Sequence, residues 1–494
     1  MPCVRLQRRW STVAPHRAAL LALLMILSVG ALGCSTYSDR IRDAQMAFAG
    51  GQVEQALHHV NDELEVEELD EEPLSLGDEN TLFLLERATM LQAIGHYDSA
   101  ARDMVTVDDR LEWVDIQSDR GDQVLQFIYS DSAGAYTAPP HERLVLNAMN
   151  MINFMAMGRH SSARVEARRF DVLQRYFLDD QSAEIIADIL GMGNYLAGAA
   201  FEADRQFSSA ARFYTAAYLH GTWPEEEDRL LDLLAMTGYR GGGLGELTDG
   251  AQELFERAGQ RQRPSRDEYR DNYLRGDTLV VVQTGMVPYL KPQRLGMERA
   301  IVRSLNSPYG PLFLDSDTSR RAHGLYAAGT MSWINTTEMS RQGLPSHRSV
   351  TLEAGGQQTA LASPINLSSQ VEKAWEAISA AALAAAITRA VARLAAGQGA
   401  RKATQEIAKQ SERAEGSAQA LGWVAGLVTQ GTLSARDRPD TRSWTTLASD
   451  VHLVRMQLPE GQQRIQVRVN GRSDHWDATI DDDSFQLFNF SRLR

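Results

Sequence analysis

Cysteine is almost absent. The 494 residues contain two, Cys3 and Cys34, and only Cys34 lies beyond the first 33 residues, which read as a removable leader, so no disulfide can form within the mature chain. Positive charge is also in short supply. Lys and Arg number 50 against 64 Asp and Glu, a net charge of −14, and loss of the leader with its four arginines and no acid makes this −18. A chain this acidic is not expected to bind nucleic acid. Long apolar runs are missing too. The stretch from Ala18 to Gly33 falls short of the ~20 residues of a spanning helix, and Ala374 to Leu394 is interrupted by Glu376, Arg389 and Arg393.

Recognisable catalytic motifs are also lacking. There is no Gly-x-Ser-x-Gly elbow, no His-Glu-x-x-His zinc helix and no phosphate-binding Walker loop. Gly241-Gly242-Gly243-Leu244-Gly245 has no strand before it and reads as a flexible linker, and Asp481-Asp482-Asp483 reads as a solvated turn in preference to a calcium site. No cofactor, metal or enzymatic activity is expected.

What is present begins with the leader. Arg5, Arg8, Arg9 and Arg17 precede the apolar run Ala18 to Leu27, in the order of a signal peptide. Ala31-Leu32-Gly33-Cys34-Ser35 resembles a bacterial lipobox, with Leu32 one place nearer the cysteine than the usual pattern has it. The resemblance implies acylation of Cys34, and Ser35 implies sorting to the outer membrane with the chain facing the periplasm. Several acyl chains on one residue would hold it firmly, with no transmembrane helix required.

From Asp39 to about Gly221 apolar residues recur at helical spacing, and a grammar of small residue, polar turn, aromatic and alanine repeats. It is seen in Leu91 to Ala100, Phe154 to Ala163 and Ala200 to Ala210, and more faintly in Phe48 to Ala56. These segments resemble tetratricopeptide repeats, with spacings longer than the standard ~34 residues, so residues 34–260 are expected to form a degenerate helical array with a concave surface. Asn147, Asn150 and Asn153 recur every third residue, and Arg164 and Arg168 share a helix face; together they are the candidate groove for a peptide backbone or carboxylate. Read blandly, the same residues form a solvated face, with the arginines paired to Glu166 or Asp171.

The grammar changes near Gly276. Thr278 to Gln283 reads as a buried strand, and Ser349 to Ala354 with Gln357 to Leu361 as a hairpin turning on Gly355-Gly356. Val451 to Gln457, Arg464 to Val469, Trp476 to Ile480 and Phe485 to Phe490 read as four more strands. An alanine-rich helical hairpin, 366–432, breaks at Gly397-Gln398-Gly399. The expected class is therefore multidomain α+β: a helical array, then a small antiparallel β-sandwich-like module assembled from 276–365 and 440–494, with the hairpin inserted. Trp444 reads as a plug between hairpin and last sheet.

Several motifs together resemble one family. They are Pro139-Pro140-His141-Glu142-Arg143 leading into Asn147 and Asn150, Ala163-Arg164-Val165-Glu166-Ala167-Arg168-Arg169, the strand end Gln283-Thr284-Gly285-Met286-Val287-Pro288-Tyr289-Leu290-Lys291, Arg389-Ala390-Val391-Ala392-Arg393 and Asp440-Thr441-Arg442-Ser443-Trp444-Thr445-Thr446-Leu447. The chain resembles uncharacterised bacterial outer-membrane lipoproteins with amino-terminal tetratricopeptide-like repeats, although Leu447-Ala448 stands where that family has Leu-Pro. The resemblance implies a part in cell-wall assembly. The leading functional expectation is a lipid-anchored adaptor that holds an unidentified envelope protein. The alternatives are a structural subunit of an oligomeric envelope complex, such as a secretion or motility apparatus, and an enzyme acting on cell-wall fragments through His141, Glu142 and Glu166.

Overall fold

A computed structural model describes residues 36–68, 71–73, 80–116, 136, 138–178, 186–225, 227–245, 247–306, 316–327, 333–341, 349–361, 364–376, positions scattered from 379 to 391, and 439–492. The leader, Cys34, and the hairpin turn with its second arm lie outside the described residues.

The chain has a mixed α+β fold, and its first part is helical. In order come α1 (Tyr37–Ala49), α2 (Val53–Leu64), α3 (Thr81–Ala93), α4 (Tyr97–Ile116), α5 (Pro140–Ala156), α6 (His160–Leu178), α7 (Ala187–Ala203), α8 (Phe207–Leu219), α9 (Glu227–Thr237), α10 (Leu247–Gly250), α11 (Gln252–Gln260) and α12 (Arg266–Tyr273). Each of the repeated sequence segments is a helix–turn–helix corner with the same backbone solution. Gly51, Gly95, Gly158 and Arg205 all take positive φ. The residue after each donates its N–H five residues back, as in Gln52 to Ala47, His96 to Leu91, Arg159 to Phe154 and Gln206 to Phe201. This left-handed cap satisfies the carbonyls that a helix end leaves open. Only Arg205 does it without glycine, and its guanidinium reaches the Asp483 carbonyl at 3.1 Å.

Small residues let these helices approach closely. A Cβ on Gly193 of α7 would lie 2.1 Å from the buried Phe170 ring, and one on Gly198 would lie 2.3 Å from Tyr214. Both rings are enclosed and cannot swing away. Gly193→Ala is therefore expected to destabilise the chain by about 1–3 kcal/mol despite alanine's better helix propensity. Urea denaturation checks it, and an unchanged or raised midpoint would refute the close crossing.

The second part holds strands β1 (Asp277–Thr284), β2 (Tyr289–Gly296), β3 (Trp333–Ser340), β4 (Val350–Ala354), β5 (Gln357–Leu361), β6 (Ile365–Asn366), β7 (Asp450–Gln457), β8 (Gly461–Val469), β9 (Arg472–Ile480) and β10 (Gln486–Arg492). One sheet has the order β10-β1-β7-β6, a second the order β5-β4-β8-β9, and β2 pairs with β3 alone. β1 runs parallel to β10 and antiparallel to β7. Its run of apolar residues follows from burial on both faces. Leu279 and Val281 join the helical core, whereas Val280 and Val282 join a cluster with Val350, Leu352, Ile465 and Val467 of the second sheet. The Gly355-Gly356 and Asn470-Gly471 turns each carry two consecutive positive φ values, as a primed hairpin turn requires.

The ribbon of β2 and β3 and the two helices that it encloses were not foreseen. Helices α13 (Met297–Asn306) and α14 (Ser316–Ala327) lie between β2 and β3 and share a third small core with Ile334 and with Leu383, Ala384, Ala386, Ile387 and Val391 of the alanine-rich helix. The glycine run at 241–245 also differs from a free linker, since Leu244 is buried and Gly241 packs against Thr248 and Phe255. Among the described residues no helix is long and apolar enough to cross a membrane.

Candidate functional site

The asparagines proposed as a groove are not at the surface. Asn147, Asn150 and Asn153 are completely buried on α5, which is covered by α4, α6, α7 and β10. Both readings of this face are thereby corrected. A helix carrying Leu144, Val145, Leu146, Ala148, Met149, Met151 and Ile152 has no polar side left to face water, and that pattern was present in the sequence.

Amides sealed in a core must satisfy one another. Gln92 of α3 donates to Asn153 Oδ1 at 2.8 Å and to the Met149 carbonyl at 3.0 Å. Asn153 donates to Asn150 Oδ1, and Asn147 donates to Asp108 at 3.3 Å and to Glu166 at 3.2 Å. At the other end Gln283 of β1 donates to Gln92 Oε1 at 2.9 Å and to Asn489 of β10 at 2.8 Å. This polar ladder bonds the helices to the central sheet. Arg164 instead pairs with Asp204 at 2.9 Å, while Arg168 stays exposed with its guanidinium 5.9 Å from the Phe201 ring centre.

A second buried polar centre forms where residues 439–449 cross the helices. Trp444 is enclosed, its indole N–H donating to Thr89 Oγ1 at 2.9 Å and its backbone N–H to Glu142 at 2.9 Å. The next two residues converge on Glu86. Thr445 donates its N–H at 2.8 Å and its hydroxyl at 2.7 Å, Thr446 its N–H at 2.9 Å and its hydroxyl, and Tyr37 adds its phenol at 2.9 Å. Trp444 is a plug as expected, and the described residues that it bonds belong to α3 and α5. Burial pushes the Glu86 carboxyl above its ordinary range, while the Thr446 and Thr445 donors pull it back.

Glu142 sits beside it, bonded to the Tyr136 phenol. Burial raises its pKa to about 7, against the lowering by Trp444 N–H and Tyr136, and the Glu86 charge adds to the rise. A carboxyl raised in the folded state stabilises fully below its unfolded pKa of about 4.5, and that contribution is lost as pH climbs through 7. Glu142→Gln removes the titration and keeps an acceptor. The variant should gain on the wild type between pH 5 and pH 8 by up to about 3 kcal/mol. Urea unfolding of both proteins at the two pH values measures this, and a constant difference would refute it.

A third centre joins α7, α9, β1 and β7. Arg455 bonds Asp277 at 2.6 Å and Glu202 at 2.7 Å, and Arg229 bonds the same two acids at 2.9 and 2.8 Å. Tyr269 and Tyr214 also donate to Glu202, at 2.5 and 2.8 Å. Burial opposes charge on Asp277, but the two arginines overcome it and hold its pKa down to about 2.

Glu142 and Glu166, suggested together with His141 as catalytic groups, belong to different networks. Glu142 is committed to Trp444 and Tyr136, and Glu166 to Asn147 with Arg169 nearby. Burial lifts Glu166 to about 7 and lowers His141 to about 4. Near β9 and β10, Asp482 pairs with Arg275 at 2.6 Å, and Asp481 accepts the Asp483 N–H. Among the described residues no three His, Cys, Asp or Glu side chains converge as a metal site requires. No family model, curated protein or solved structure matches the chain.

Proposed function

We propose that the chain is a lipid-anchored adaptor on the periplasmic side of the outer membrane, tethered through Cys34 and binding an envelope protein along the outer face of α6. In this reading the helices are a degenerate tetratricopeptide-like array, the two four-stranded sheets form a small β-sandwich, and the chain belongs with the envelope lipoproteins that its motifs resemble. The α6 surface carries the reading. Val165 and Val172, the latter 67% exposed, stand one heptad apart with Arg168 between them and Arg175 beyond, all exposed. Apolar residues alternating with arginine suit a protein partner, because arginine and apolar contacts are favoured at interfaces where lysine and acids are depleted.

With Asn147, Asn150 and Asn153 buried and Arg164 half-buried, Arg168 is the side chain among them that a partner can reach. A photo-crosslinking residue at Val172 in living cells is expected to capture one reproducible envelope protein, with capture lost on Arg168→Glu. Yields no higher than from a crosslinker at Glu253 would refute the reading, and adducts only to a second copy would favour a structural subunit. Palmitate labelling of wild type against Cys34→Ala tests the anchor separately.

A further inference from the structure

Val302, Leu305, Tyr326 and Trp333 are exposed large apolar side chains, and all four lie within the short excursion from β2 through α13 and α14 to β3. The same excursion is basic. Residues 289–341 contain seven Lys and Arg against four Asp and Glu, in a chain whose net charge is −14. Among the described residues this excursion holds four of the seven exposed large apolar side chains and joins them to positive charge on an otherwise acidic molecule.

The geometry makes a single face. Met297, Ala300, Ile301 and Ser304 turn one side of α13 inward. Glu298, Val302 and Leu305, spaced i, i+4 and i+7, share one flank, and the Tyr326 phenol of α14 donates to Glu298 at 3.1 Å, which brings its hydroxyl to that flank. Arg299 and Arg303 are exposed on the adjoining stripe. At the near end of the ribbon Arg294 lies 4.6 Å over the ring of Trp333. Apolar residues at the boundary, aromatic rings with polar tips and arginines that extend to headgroups are the composition of an interfacial helix pair.

This module also adjoins α1. β2 packs against α1, Thr337 of β3 donates to the Asp440 carbonyl, and Thr441 accepts the N–H of Ser38 in the first turn of α1. Thr36 is already fixed there, its N–H bonded to Asp39. Cys34 is two residues earlier, a reach of at most about 7 Å.

We propose that the face formed by α13 and α14 lies on an anionic phospholipid bilayer, with Val302, Leu305 and Tyr326 at the acyl boundary and Arg299 and Arg303 among the headgroups. The orientation rests on the Cys34 anchor proposed above; the affinity of the face for lipid does not. The test uses full-length acylated protein, in which Cys34 is blocked, with a polarity-sensitive fluorophore on Val302→Cys or Leu305→Cys and on Glu253→Cys as a distant exposed control. In phosphatidylcholine vesicles containing phosphatidylglycerol, emission from positions 302 and 305 should shift to the blue and be quenched by brominated acyl chains, while position 253 stays unchanged. Arg299→Glu with Arg303→Glu should abolish the dependence on phosphatidylglycerol. Labels at 302 and 305 that remain as water-exposed as 253 on anchored protein overturn the proposal. So does a label already buried without lipid, which would show the face covered by this chain or by a second copy. If palmitate labelling shows Cys34 unacylated, the same measurement on the Cys34→Ser chain with added vesicles decides the matter: a blue shift sustains the lipid face without the anchor, and its absence overturns it.

Discussion

Glu86→Ala should lower the free energy of unfolding by about 5 kcal/mol or more, because it strands several enclosed donors at once and each costs about 1–3 kcal/mol. The carboxylate receives two backbone N–H groups and two hydroxyls from Thr445 and Thr446 and the phenol of Tyr37. None of these donors can turn to water, since Thr445 and Thr446 are about 1% exposed or less and Tyr37 only 8%. The damage would spread along the chain, because the Leu447 carbonyl accepts from Val287 and the Ser449 carbonyl from Leu367. Residues 439–449 thus fasten three regions far apart in sequence. Glu86→Gln keeps one oxygen and should lose roughly half as much, the rest reflecting an amide N–H turned towards donors. Urea denaturation followed by far-UV circular dichroism measures both losses. A cost below about 2 kcal/mol for the alanine variant would mean that the segment is held by Trp444 packing alone.

The legible parts of this molecule were those whose cause is local. The helix corners announce themselves because a left-handed cap favours glycine at one position and an apolar contact nearby, and Gly95 and Gly158 stand there. The β4–β5 hairpin was visible through Gly355-Gly356 for the same reason. The three polar centres were not, because their partners lie too far apart. Glu86 and Thr446 are separated by 360 residues, and Arg455 and Glu202 by 253. No periodicity links such pairs, so a glutamate beneath the 439–449 segment looks like any surface glutamate. The asparagine triplet misled in the opposite direction. Its three-residue spacing does mark one helix face, but the apolar residues on every other side required that face to be inside as well, with Gln92, Asp108 and Glu166 as its partners.

Arg455→Met is the second large effect, and it follows from charge counting in a dry site. Two arginines and two carboxylates are all at most 5% exposed at their side chains, and each arginine touches both acids. Removing Arg455 leaves Glu202 and Asp277 sharing Arg229, one uncompensated negative charge in the interior, and breaking a buried pair in this way costs about 3–5 kcal/mol. The pH dependence distinguishes this cause from lost packing. In the wild type Asp277 is held near 2, so its contribution is present above the unfolded value of about 3.8 and disappears as pH falls towards 2. In the variant one carboxylate is freed to protonate, so acid relieves the buried charge. The stability gap between wild type and Arg455→Met should therefore be widest near pH 7 and close as pH falls towards 3. Asp277→Asn added to Arg455→Met should recover part of the loss at pH 7, since it removes the same excess charge. A gap independent of pH, with no recovery in the double variant, would leave only the packing of the Arg455 side chain against Tyr214 and Phe485 as its source.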